Sequence, residues 1–94
     1  MVLKDEEQKQ STVNIFPNPA ADYINVYMVT NSNEKVTLRI FEAASGKVIK
    51  NTCLIKIGQS ISSSVDIKNL TVGYYMAEIK QGDNTFTKGF VKSY

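Results

Sequence analysis

From Tyr23 to Met28 apolar and polar side chains alternate with a period of two, and the alternation returns over Lys35 to Phe41 and over Ile61 to Ile67. In an extended chain successive side chains point to opposite faces, so each run describes a strand with one dry side and one wet side. Ile24, Val26 and Met28 make the dry side of the first run. Val36, Leu38 and Ile40 make that of the second, and Ile61, Ser63, Val65 and Ile67 share a face in the third. No stretch offers a competing helical period. Half-buried strands must lay their dry faces against another layer, so the chain is expected to be all-β.

The other segments fit between these runs. Val13 and Ile15 alternate with Asn14 and Phe16 as a short first strand, which Pro17-Asn18-Pro19 stops by removing two backbone donors. The Asp22 carboxylate is expected to pin the following corner by accepting turn amides. After the turn Ala43-Ala44-Ser45-Gly46, residues 47–57 are long enough for one bent strand or two short ones meeting near Asn51-Thr52. Their parity changes, Val48 and Lys50 sharing one face and Cys53, Ile55 and Ile57 another, so a bulge or bend is expected. The last quarter reads as a closing hairpin. Gly73 permits a sharp entry, Tyr75, Ala77 and Ile79 face one way, and Gln81-Gly82-Asp83-Asn84 supplies the turn. In the terminal strand Phe86 and Phe90 share parity with Lys88 and Lys92, with Val91 opposite. Either a bulge at Gly89 or lysine stems lying over apolar surface, ammonium groups in water, would reconcile that mixture. About seven short strands between regular turn signals favour an immunoglobulin-like antiparallel β-sandwich.

Composition narrows the function classes. Ninety-four residues suit one domain. Residues 4–12 contain no apolar side chain and read as a linker, so residues 1–12 are expected to be a flexible leader to a domain over 13–94. Met1-Val2-Leu3 followed by Lys4-Asp5-Glu6-Glu7 lacks the pattern of a secretory leader, which suggests a cytoplasmic chain or a piece of a longer precursor. The net charge of +2 is spread without a basic cluster, which argues against nucleic acid. With no histidine and one cysteine, Cys53, the usual triads, cysteine zinc sites and internal disulfides are excluded. Cys53 reads as a small buried filler. No cofactor is expected, and the single carboxylates at turns do not suggest an enzyme.

The fixed points then fall into a familiar order. Phe16-Pro17-Asn18-Pro19 with Asp22 is followed by Ile40-Phe41-Glu42, by Ser45-Gly46-Lys47-Val48, and by Val65-Asp66-Ile67-Lys68-Asn69-Leu70. Gly73-Tyr74-Tyr75 and Lys88-Gly89-Phe90-Val91-Lys92 close the series. Over residues 13–92 this resembles the type A C-terminal sorting domain of the type IX (Por) secretion system of Bacteroidetes. The resemblance implies a non-catalytic, immunoglobulin-like secretion signal. Its proline-aspartate motif falls on Pro19 and Asp22, its glycine-tyrosine motif on Gly73 and Tyr75, and its lysine motif on Lys88 and Lys92. It implies a fused cargo, recognition by the outer-membrane translocon and its shuttle proteins, and a route through the periplasm to the cell surface or medium. It also implies removal by a sortase-like cysteine peptidase cutting the linker before Val13, with attachment of the cargo to anionic lipopolysaccharide. Ser93-Tyr94 extends past the point where many members stop. The terminal strand, with Phe86, Lys88, Phe90, Val91 and Lys92, is the expected recognition element, because an edge strand offers unpaired backbone groups to a partner.

Two other classes compete. An accessory carbohydrate-binding or fibronectin-like module would use outward Tyr23, Tyr27 and Tyr74. A structural spacer would self-associate weakly through its open edges.

Overall fold

The computed structural model describes residues 12–94, and the expected linker over 1–12 lies almost wholly outside them. The described residues form strands and no helix: β1 Thr12–Phe16, β2 Tyr23–Val29, β3 Val36–Glu42, β4 Val48–Leu54, β5 Lys56–Ile57, β6 Ser60–Asp66, β7 Gly73–Gln81 and β8 Asn84–Lys92. They make two antiparallel four-stranded sheets, β1-β2-β6-β5 and β4-β3-β7-β8. This order, with the first two strands joined to the sixth and the third to the seventh and eighth, is the immunoglobulin-like arrangement.

The alternating runs explain the core. Ile24, Val26, Met28, Ile61, Val65 and Ile67 from one sheet meet Val36, Leu38, Ile40, Tyr75, Ala77, Ile79 and Phe90 from the other, all buried. Their partners in sequence, such as Tyr23, Tyr27 and Arg39, lie outside. On the outer face of the second sheet Arg39 is opposite Glu78 and pairs with it at 2.7 Å.

The segment 47–57 departs from expectation. It is two strands, but the break is at Ile55, where the chain leaves one sheet for the other, and not near Asn51-Thr52. The bulge is earlier still: Ile40 is opposite Lys50 and Phe41 opposite Val48, leaving Ile49 unpaired. Leu54 is the buried residue. Cys53 is exposed, and Ile55 and Ile57 are 75% and 79% exposed. β4 is a sheet edge with core on one side only, so half of its apolar residues have nothing to pack on. The two-residue β5 brings the strand number to eight.

The closing hairpin is tied down at both poles of the sandwich. Thr12, Val29 and Ser60 align at one of them. There Thr30, expected in a polar loop, is buried and donates through Oγ1 to Gln81 Oε1 at 2.8 Å. Gln81 Nε2 donates to the carbonyls of Ser32 and Glu34 at 3.3 and 3.1 Å, so a side chain expected in a turn instead anchors the β2–β3 loop to the closing hairpin. Asp22, Ala20 and Lys92 gather at the other pole.

Candidate functional site

β8 is an edge strand, and the surrounding residues hold it there. Its pairing with β7 runs without interruption from Gly73 opposite Lys92 to Gln81 opposite Asn84. The loop is therefore two residues, Gly82-Asp83, with Gly82 at φ 58°, a left-handed angle that glycine adopts without strain. A Cβ on Gly82 would also collide with the Glu34 carboxylate. No bulge occurs at Gly89. Without a bulge, Lys88 and Lys92 keep the parity of Phe86 and Phe90, opposite Ala77 and Gly73.

Tyr74 and Tyr75 clamp β8 from both faces. Tyr75 points inward and stacks on Phe90, ring centroids 5.7 Å apart and 20° between planes. Its hydroxyl donates to the Thr71 carbonyl at 2.7 Å, tying the chain ahead of β7 to the strand's third residue in the manner of a tyrosine corner. Tyr74 points outward, and its ring lies diagonally over Gly89, where any Cβ would collide with the ring and hydroxyl. An aromatic ring covering a strand glycine in this way restores packing that the glycine lacks.

The far end of β8 is capped by the proline-rich corner. Both Phe16-Pro17 and Asn18-Pro19 are cis. Val91 donates its N–H to Asn18 Oδ1 at 2.9 Å and its carbonyl accepts from Ala20 N at 2.8 Å, while Ser93 N donates to the Ala20 carbonyl at 2.7 Å. Ala20 is fully buried. The residues 18–20 thus form a short parallel extension of the sheet beside Lys92. The sequence gives little sign of Asn18 in this role; its place between two prolines, with a side chain able to replace a backbone partner, is the available signal.

The motif residues are thereby placed. Pro19 lies in the corner that caps β8. Asp22 pins the corner, but through its backbone carbonyl, which accepts from Ile67 N at 2.9 Å. Among the described residues its exposed carboxylate has no hydrogen-bond partner, contrary to the expected side-chain pin; the Asx turn is made by Asp66, which accepts from Lys68 N at 2.8 Å. Gly73 begins β7 directly after a bend at Val72, and it does so without a positive φ. Gly73, Tyr75 and Lys92 lie together at one pole, while Lys88 is further along β8 opposite Ala77. Of the two motif lysines only Lys88 is exposed. Lys92 is 5% exposed and its Nζ donates to the Ser93 carbonyl at 2.8 Å, so its ammonium is not in open water as expected. Phe90 is fully buried and Phe86 half-buried, leaving Asn84, Thr85, Thr87, Lys88 and Val91 as the exposed side chains of the strand. The three outward tyrosines do not form one surface. Tyr23 and Tyr27 are on β2 of the first sheet and Tyr74 on β7 of the second.

An immunoglobulin-like sandwich whose chain end is an edge strand, locked by its own tyrosines and by a proline corner, defines the class. Within it, the sequence matches the family described as Secretion system C-terminal sorting domain over residues 14–93, and the chain belongs to that family. It is thus a sorting signal of the type IX secretion system, which implies export across the outer membrane and interaction with that machinery. A search of curated proteins finds no match.

Proposed function

We propose that residues 13–94 are the self-folding address by which the outer-membrane translocon and its shuttle proteins recognise a cargo joined ahead of residue 1, and that β8 is the part of the address that is read. The observation that carries this is the position of β8: an edge strand whose ends are fixed by Gln81–Asn84 at one pole and by Asn18 and Ala20 at the other. A rigid, cargo-independent edge can be met in the same geometry whatever precedes it.

The same layout favours cutting before Val13 by a sortase-like peptidase, with attachment of the cargo at the cell surface. Thr12 is opposite Val29, at the pole away from Lys92. Fusing residues 1–94 behind a periplasmic reporter in a type IX competent host tests the assignment. The reporter is expected outside the cell, and its retention in the periplasm would refute the address role.

A second reading has one observation in its favour. Phe16, Tyr23 and Tyr27 are exposed on the outer face of the first sheet, with Asn14, Asn25 and Ser62 alongside, a surface of rings, amides and hydroxyls suited to a saccharide. Glycan binding by the chain, weakened by Tyr23→Ala or Tyr27→Ala, would support an accessory carbohydrate-binding role.

A further inference from the structure

The outer edge of β8 is closed at one end and open along the rest. Val91 turns both its N–H and its carbonyl away from β7, toward Asn18 and Ala20. In an antiparallel strand, alternate residues present both groups to the same side, and the β7–β8 pairing has no register shift. Gly89, Thr87 and Thr85 therefore present their N–H and carbonyl groups to the same outer side as Val91. The hairpin gives the same parity from the other end. Gln81 and Asn84 close a two-residue loop as a hydrogen-bonded pair, so Phe86, Lys88 and Phe90 bond inward to β7 and the residues between them do not. Among the described residues, the outward backbone groups of Thr85, Thr87 and Gly89 have no partner.

We propose that the edge Thr85–Gly89 is where an extended segment of the secretion machinery adds as a further strand to this sheet, stopping at Gly89 because residues 18–20 already occupy the edge beyond it. This rests on reading the chain as an export address and names the chemistry of its partner: a polypeptide in β conformation, whose own N–H and carbonyl groups alternate at the spacing of the six open ones. The flanking side chains suit such a partner. Thr85 and Thr87 are exposed, and Gly89 is covered by the Tyr74 ring. A second copy of the chain suits the edge poorly. Antiparallel self-pairing about Thr87 would set each Lys88 opposite Phe86 and bring the two Lys88 side chains onto one face at diagonal positions, like charges at short range. Lys92, buried and bonded to its neighbour, is a fixture of the strand and makes no contact with the added segment.

Proline at position 87 tests this selectively. Thr87→Pro deletes an outward N–H and sets a ring on the open edge, yet removes no bond to β7, because Thr87 donates none; Thr87→Ala keeps the N–H. Both are compared in the reporter fusion, with thermal melting of each purified chain. Thr87→Pro is expected to cut surface arrival by about tenfold or more while melting close to the parent, and Thr87→Ala to export normally. If Thr87→Pro does not fold, Thr85→Pro makes the same comparison. Without any variant, the Thr87 amide of the parent chain is expected to exchange slowly once isolated translocon from the host is added. Export of the folded proline variant at the parent level, or an unprotected Thr87 amide, would overturn strand addition while leaving the address role intact, whereas failure of the unmodified fusion to export refutes both. A dimer of the free chain that Thr87→Pro dissociates would assign the edge to a second copy and overturn the proposal.

Discussion

Gly73 and Gly89 show how one residue type serves different ends. A Cβ on Gly73 meets only the Tyr75 ring at an ordinary 4.0 Å, so Gly73→Ala should melt like the parent or be up to about 1 kcal/mol more stable, through a less flexible unfolded chain. A Cβ on Gly89 collides with Tyr74, but Tyr74 is 55% exposed and can swing away. Gly89→Ala should therefore cost about 1 kcal/mol, the lost ring cover, and nearly nothing further once Tyr74→Ala has been made. A urea double-mutant cycle measures that coupling. The two motif lysines should part company in the same assay. Lys92→Ala removes a buried stem and should cost about 1–2 kcal/mol, while Lys88→Ala, exposed on the edge, should stay within about 0.5 kcal/mol of the parent.

At the level of elements, the closing hairpin is held at both poles by side chains from the other end of the sequence. Gln81 satisfies two loop carbonyls and receives the Thr30 hydroxyl, and the described residues contain no buried side-chain polar atom without a partner. Gln81→Leu keeps the volume but strands these groups, and should destabilise by about 2 kcal/mol in chemical denaturation. At the opposite pole Asn18→Ala frees the Val91 amide. Faster hydrogen exchange at Val91, with Ile79 unchanged, is expected, because only the last residues of β8 depend on that contact.

Across the whole molecule, recognition and folding draw on the same strand. Phe90 is fully buried and stacks on Tyr75 between the two sheets. Phe90→Ala should cost about 3–5 kcal/mol, a large part of the total stability of a domain this size, so loss of export in that variant reports unfolding and not loss of an address. Shortening β8 has the same defect. Only groups that the core does not use, the outward backbone and the exposed side chains of Thr85, Thr87 and Lys88, can be altered to test recognition without disturbing the core.

The alternating runs of β2, β3 and β6 determined their dry faces outright, because a period of two leaves one arrangement of side chains about a sheet. Gly73-Tyr74-Tyr75 and the lysine motif likewise marked the closing hairpin and the family. The sequence could not decide which residues of 47–57 lose their partners, since burial of Cys53, Ile55 and Ile57 depends on whether a second layer covers the sheet edge. Nor could it show that Lys92 is buried or that Asn18 and Ala20 close the end of β8. Those contacts join residues more than seventy positions apart, and only the closing of one sheet over the other brings them within hydrogen-bond reach.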